Sequence, residues 1–227
     1  MHVTLGAEMP STALLLIRHG HTLSNGGDPS PRMSGWTDLP LSARGFEQVR
    51  LLARRLAGTA PFDRIYTSPL SRARDTARPL AAAALGAVEV CEALKEIDCG
   101  RVDGWPIARV QREYPDHWMA NLRQLDDDFR WPGGESYREL RRRSVRAARF
   151  FAARHPGGRV AVVTHAGDIC QLIGHQYGTP AARWEAMRPD NASITEVRWR
   201  GDGGELVVFN DRCHLERPAA RPERPAP

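Results

Sequence analysis

The stretch Ala13-Leu14-Leu15-Leu16-Ile17-Arg18-His19-Gly20 decides how the rest of the chain is read. Its five consecutive apolar residues do not alternate and are too few for a helix, so they describe a strand buried on both faces. Such a strand belongs in a sheet that helices cover on both sides. Val160-Ala161-Val162-Val163 repeats the pattern and runs into Thr164-His165-Ala166-Gly167. Residues 64–67 and 88–91 read as shorter strands. Between the strands lie helical patterns. Ser42 caps one that reaches about Leu56, with Phe46, Val49, Leu52 and Leu56 on its inner face. A second spans about 71–85. A third spans about 135–155, turns Tyr137, Leu140, Val145, Ala148 and Phe151 inward, and ends at Pro156-Gly157-Gly158. A fourth starts near Asp168. Residues 195–199 and 206–209 alternate around Gly201-Asp202-Gly203-Gly204 and form a hairpin near the sheet edge. The implied fold class is α/β: a three-layer sandwich with a mostly parallel central sheet, helices on both faces and a small cap insertion.

The expected organisation is a loose lead-in over 1–12, one domain over 13–215 with the cap at about 105–133, and a disordered tail over 216–227. The chain has 227 residues, of which 41% are hydrophobic and 26% charged, an ordinary globular balance. Its apolar runs are only a handful of residues long, which excludes a helical membrane span. The run 13–17 is too short for a signal-peptide core and leads straight into Arg18 and His19. A cytoplasmic location is the expectation. The four cysteines show neither CxxC nor zinc spacing and are expected to be free thiols. The net charge of +5 does not point to nucleic acid. The basic residues are scattered, with Arg141, Arg142 and Arg143 expected on a solvated helix face, and no basic patch alternates with aromatics. A mild positive field favours an anionic substrate.

In sheets of this kind ligands bind beyond the C-terminal ends of the strands. Three strand ends converge there on chemistry. One delivers Arg18-His19-Gly20, another Thr164-His165-Ala166-Gly167, and a third leads through Ser68-Pro69-Leu70-Ser71 to Arg72 at a helix start. Arginine offers a planar fork of donors matched to phosphate oxygens and keeps its charge. A helix N-terminus adds backbone N–H groups aimed at an anion. A neutral imidazole is a competent nucleophile that can take a phosphoryl group covalently. Arg18 beside His19 depresses the histidine's pKa and keeps it neutral.

The run Leu16-Ile17-Arg18-His19-Gly20-His21-Thr22, with Asn25, resembles the signature of the histidine phosphatase, or phosphoglycerate mutase-like, superfamily. Gly35-Trp36-Thr37-Asp38-Leu39-Pro40-Leu41-Ser42 with Gly45 resembles its next segment, and Ser68-Pro69-Leu70-Ser71-Arg72-Ala73 with Thr76-Ala77 the third. Leu94-Lys95-Glu96-Ile97, before Gly100 and Gly104, resembles the acid-bearing segment, and Val163–Gly167 the last. The resemblance covers about 13–215. It implies that His19 is the phosphohistidine nucleophile and that Arg18, Arg72 and His165 complete the phosphate pocket. It also implies that Glu96 protonates the leaving oxygen and then activates water. Asn25, Ser34, Gly35 and the backbone of Gly167 would contact substrate. No cofactor and no metal are implied. The partner would be a small-molecule phosphate ester, with no nucleic acid and no membrane, and self-association into a homodimer stays open.

This sequence departs from the pattern at His21, where relatives commonly carry Glu or Gln, and in the Pro- and Gly-rich loop over 26–33. The cap region is rich in Trp, Arg and Asp, and Trp105, Trp118 and Trp131 suit either a substrate pocket or core packing. Mutases of the superfamily carry an Arg-His-Tyr-Gly run directly after the acid. Here Glu96 is followed by Ile97-Asp98-Cys99-Gly100, and Trp131-Pro132-Gly133-Gly134-Glu135-Ser136 also resembles the phosphatase branch. A metallohydrolase built on His19-Gly20-His21 is disfavoured by the adjacent Arg18 and by the lack of a nearby carboxylate. A non-catalytic module of the same fold would be expected to have lost one of these pocket residues. Among the remaining histidines, His155 is expected to support a helix dipole and His175 to be structural.

Overall fold

The computed structural model describes residues 10–25, 30–84 and 87–216. Residues 1–9 of the expected lead-in, 26–29 of the rim loop and 217–227 of the expected tail lie outside that set. In chain order the elements are β1 (Thr12–Arg18), α1 (Ala43–Leu56), β2 (Arg64–Thr67), α2 (Ser71–Ala84), β3 (Val88–Val90), α3 (Ile107–Glu113), α4 (Pro115–Arg123), α5 (Tyr137–Arg154), β4 (Arg159–Thr164), α6 (Ala166–Gln176), β5 (Ile194–Arg200) and β6 (Gly203–Asp211). The strands form one sheet in the order β3-β2-β4-β1-β5-β6. The first four run parallel, and β5 and β6 are antiparallel.

Strand alternation divides the core in two, which is why continuous apolar runs were needed. Leu14, Leu16, Val160 and Val162 face α5 and α6, packing on Val145, Phe151 and Ile169. Leu15, Ile17, Ala161 and Val163 face α1 and α2, packing on Leu52, Ala77 and Leu80. A third cluster joins Val110, Phe129, Trp131 and Tyr137 to Cys99 and Ala182. It ties the α3–α4 region to the start of α5. There Ser136 and Glu139 close a reciprocal capping box.

Four sequence readings shift. Phe46 is exposed, not inward. The buried stripe of α1 is Gly45, Val49, Leu52 and Leu56, because a side chain at Gly45 would collide with the His21 carbonyl and the helix turns that face inward. Helix α6 begins two residues before Asp168, with His165 at its N-cap. Arg143 is not solvated: its side chain is 13% exposed. Arg141 is half-buried and hydrogen-bonds Gln171 and the Thr179 carbonyl. His155 hydrogen-bonds the Tyr66 hydroxyl at 3.1 Å, and burial lowers its pKa, so it does not serve as a cation on the helix dipole. His175 stacks on Trp199 and meets the Asp202 carbonyl. The four cysteines are unpaired. Among the described residues no helix is long and apolar enough to cross a membrane.

Candidate active site

Strand register assembles the site. Arg18 pairs with Thr164 across β1 and β4, and Thr67 with Val163 across β2 and β4. The residues just past the strands, His19, His165 and Ser68, are therefore neighbours. The two imidazole centroids stand 5.1 Å apart. His165 and Ser68 are hydrogen-bonded, Nε2 to Oγ, at 2.8 Å. The His19 amide donates to the Thr164 carbonyl at 3.0 Å, which locks the first strand end to the second.

Hydrogen bonding assigns the tautomers. His19 Nδ1 lies 2.7 Å from the Gly20 carbonyl, which can only accept, so Nδ1 carries the proton and Nε2 keeps its lone pair. Arg72 Nε donates to His165 Nδ1 at 3.3 Å, which leaves the His165 proton on Nε2. Both rings are buried, and both pKa values lie well below the usual histidine range. Burial is the main cause, and the Arg72 charge comes next in both cases. Each ring is neutral at physiological pH.

The two arginines are held by backbone carbonyls. Arg18 Nη1 donates to Pro189 O at 2.6 Å, while its buried Nε has no hydrogen-bond partner among the described residues. Arg72 donates from Nη1 to Thr37 O at 2.9 Å and from Nη2 to Gly35 O at 2.7 Å. Desolvation lowers both pKa values, that of Arg18 to about 10 with further help from Arg188. The carbonyl-bearing loop is itself fixed by Asp103. Its Oδ1 accepts from the Gly35 amide at 2.9 Å, and its Oδ2 from Trp36 and Thr37 at 2.7 and 2.8 Å.

Glu96 stands across the site. Its Oε1 accepts from the Ile97 amide at 2.9 Å and its Oε2 from the Gly167 amide at 3.2 Å. Gly167 is required there, since a β-carbon would collide with Glu96 Oε1. Its N–H, expected to serve substrate, is committed to Glu96. Asp98 is turned onto the Gly100 amide at 2.8 Å.

Arg18, His19, Asn25, Ser34, Glu96 and Gly167 all line one cavity of about 260 Å³. Trp118, Trp131 and Trp184 also line it, with Arg32 and Arg188. Arg72, His165 and Gly35 do not line the cavity and adjoin it through His19 and the Arg72 contacts. Trp105 is outside it, stacked under Arg109 at 3.4 Å. The His21 ring turns away to Ser42, Nδ1 to Oγ at 2.9 Å. Among the described residues no three His, Cys, Asp or Glu side chains gather as a metal-binding group.

Residues 14–212 match the profile of the histidine phosphatase superfamily (branch 1). The chain belongs to this superfamily. GpmB of Enterobacter sp. (strain 638), described as a probable phosphoglycerate mutase, is 32% identical over 210 residues, 90% of this chain and 95% of that protein. Among solved structures, Bacillus stearothermophilus YhfR superposes with a TM-score of 0.82 at 28% identity, covering 90% of this chain and all of that one. A mycobacterial glucosyl-3-phosphoglycerate phosphatase superposes with a TM-score of 0.77 at 28% identity, covering 89% and 100%. The α-ribazole phosphatase of Shigella flexneri does so with 0.75 at 27%, covering 88% and 96%.

Several members of the site lay outside the sequence reading. Asn191 donates from Nδ2 to the His19 carbonyl at 3.1 Å and to Asn25 Oδ1 at 3.0 Å, fixing both residues from a distant loop. Ser68, part of the third motif but given no role there, meets His165 Nε2 through its hydroxyl. Arg188 and Trp184, just before β5, line the cavity. Nothing in the local pattern of Asn191, Trp184 or Arg188 distinguishes it from an ordinary loop residue.

Proposed function

We propose that this superfamily member is a metal-independent phosphatase that hydrolyses a small-molecule phosphate monoester through a phosphohistidine on His19. One observation carries the reading: His19 Nε2, neutral and with Nδ1 pinned on Gly20, borders a cavity that also contains Arg18 and a fixed carboxylate, Glu96. Nε2 attacks phosphorus and the P–O bond to the alcohol breaks. Glu96, entering this step in its protonated form, gives that proton to the departing oxygen and is left as the carboxylate. Water then attacks the phosphohistidine, Glu96 recovers a proton from that water, and orthophosphate leaves. Arg18 and Arg72 neutralise the charge on the transferring group, in the manner of preorganised cations. The Asn25 Oδ1 already accepts three hydrogen bonds, from the Thr22 amide and hydroxyl and from Asn191, which leaves its NH₂ for a phosphate oxygen. His165 accepts from Arg72 Nε at Nδ1 and so holds the guanidinium in place. The cavity volume, just under the roughly 300 Å³ at which organic-ligand pockets begin, suits a compact ester. Its tryptophan wall suits an organic alcohol.

The description of GpmB favours a second reading, phosphoryl transfer between hydroxyls as in a mutase. One experiment addresses both. His19→Ala and wild type are assayed with EDTA present against a panel of phosphate monoesters, and against 3-phosphoglycerate primed with a bisphosphate. Rapid quenching with labelled ester traps the phosphoprotein. The expected result is hydrolysis by wild type only, through an acid-labile, base-stable adduct. Substantial turnover by His19→Ala would refute the mechanism. Loss of wild-type activity on chelation would refute metal independence. Isomerisation outpacing hydrolysis would establish the mutase.

A further inference from the structure

Arg143 is the one arginine of the Arg141-Arg142-Arg143 run that pairs with carboxylates in the interior, and it reaches the general acid's segment. Its side chain is 13% exposed and uses all three guanidinium nitrogens. Nη1 donates to the Ala93 carbonyl at 2.9 Å and to Asp168 Oδ1 at 3.2 Å. Nη2 donates to the Glu96 carbonyl at 2.9 Å. Nε and Nη2 also grip both oxygens of Glu135, at 2.7 and 2.9 Å. That fork-to-fork pairing fixes the plane of the guanidinium.

Asp168, fully buried, holds the other side. Its Oδ1 accepts from Ser144 Oγ and its Oδ2 from Thr164 Oγ1 at 2.6 Å, while Thr164 Oγ1 meets the Leu94 carbonyl at 3.0 Å. Asp168 lies in the first turn of α6, next to Gly167, whose amide holds the Glu96 carboxylate. Glu96 is thus fixed at its backbone by Arg143 and at its side chain by the helix that Asp168 anchors. The frame extends to Thr164, the residue before His165. A staple joining α5 to the core would need none of the bonds to Ala93 or Glu96.

We propose that Arg143, clamped by Glu135 and Asp168, is a positioning residue that sets the Glu96 carboxylate against the leaving-group oxygen. The inference rests on the reading of Glu96 as proton carrier. It also gives a role to the Gly133-Gly134-Glu135-Ser136 segment, which brings Glu135 to the guanidinium.

Misplacing a general acid slows only those esters whose alcohols need a proton to leave, an effect typically worth about 10²–10⁴-fold for its complete loss. The test follows burst-phase phosphorylation of His19 by glycerol 2-phosphate and by p-nitrophenyl phosphate. Arg143→Lys keeps the charge and loses the planar fork. It is expected to slow the glycerol ester by at least about tenfold and the p-nitrophenyl ester less than about threefold, since only the former depends on the acid. In a Glu96→Gln background the same substitution should add no selective loss. Glu135→Gln is run alongside and gives the same comparison if Arg143→Lys fails to melt cooperatively. Equal slowing of both esters, or a full additional loss in the Glu96→Gln background, would overturn the proposal. Selective slowing by Glu96→Gln with unselective slowing by Arg143→Lys sinks this inference alone. An unselective Glu96→Gln sinks the Glu96 assignment and the inference with it.

Discussion

His165→Asn tests the electrostatics of the site through stability. In the folded chain the His165 pKa is depressed by burial and then by Arg72, whereas in the unfolded chain it returns to about 6.5. Below that pH the unfolded state binds a proton that the folded state refuses. Stability from this group is therefore complete above pH ~6.5 and is lost as pH falls, by up to about 1.4 kcal/mol per pH unit. His19 behaves alike, so the pair steepens acid loss by up to about 2.7 kcal/mol per unit. Asp168 works the other way. Burial raises its pKa to about 6, so between roughly pH 4 and 6 the folded state holds the extra proton and gains stability as pH falls. Asparagine at 165 offers Oδ1 to Arg72 in place of Nδ1 and gives up the bond to Ser68. It should cost about 1–3 kcal/mol at pH 8, the range for an unmade buried hydrogen bond. Because Asn does not titrate, the gap to wild type should close by up to about 1.4 kcal/mol for each pH unit below ~6.5. The contributions of His19, Asp168 and the other histidines cancel in that difference. Urea unfolding followed by tryptophan fluorescence at pH 8, 6 and 5 measures it. A gap unchanged between pH 8 and 5 would mean that His165 titrates normally in the fold, and the argument for neutral rings would fail.

Two further substitutions probe the supports of the site. Asp103→Ala leaves the amides of Gly35, Trp36 and Thr37 without their common acceptor. It should lower stability by about 2 kcal/mol in urea titrations, and it should raise KM for phosphate esters more than it lowers kcat, because the Gly35 and Thr37 carbonyls that aim Arg72 come loose. Gly167→Ala places a methyl group against Glu96 Oε1. Steady-state assays should show at least about tenfold slower turnover of alkyl phosphates with the melting temperature almost unchanged, because alanine suits a helix first turn.

The parallel strands were legible because β1 and β4, buried on both faces, must be apolar at every position, and a five-residue run cannot be a helix. The strand ends then place Arg18, His19 and His165 on one rim from sequence alone. Phe46 was misread because the pattern weighs apolar side chains, whereas the face of α1 was set by a glycine that only the nearby His21 carbonyl makes necessary. Arg143 was misread for the same kind of reason. Helix α5 carries Arg138, Arg141, Arg142, Arg143 and Arg146, and which of them turns inward depends on where Glu135 and Asp168 sit. Asn191 and Asp103 act on the site from far along the sequence, through backbone groups that carry no signature.

On the proposed mechanism, anion affinity and nucleophilicity in this site come from the same two charges. Arg18 and Arg72 are 6% and 2% exposed, and neither forms an ion pair among the described residues. The carbonyls of Pro189, Gly35 and Thr37 solvate them, and a neutral dipole offsets burial of a cation less fully than an anion does. A phosphoryl dianion bound between them, as proposed, would relieve that cost, so part of its binding free energy would already be stored in the folded protein. Burial first, and the same cations after it, hold His19 neutral, which would keep the Nε2 lone pair available until the phosphoryl group is in place. Once Nε2 bonds to phosphorus the ring becomes cationic, and the charge that opposed protonation of His19 is then balanced by the phosphoryl oxygens. The Gly20 carbonyl, already bonded to the Nδ1 proton at 2.7 Å, stabilises that imidazolium as it forms. Cation, nucleophile and acceptor thus occupy consecutive positions, Arg18-His19-Gly20, because the end of one buried strand can aim all three without a further element.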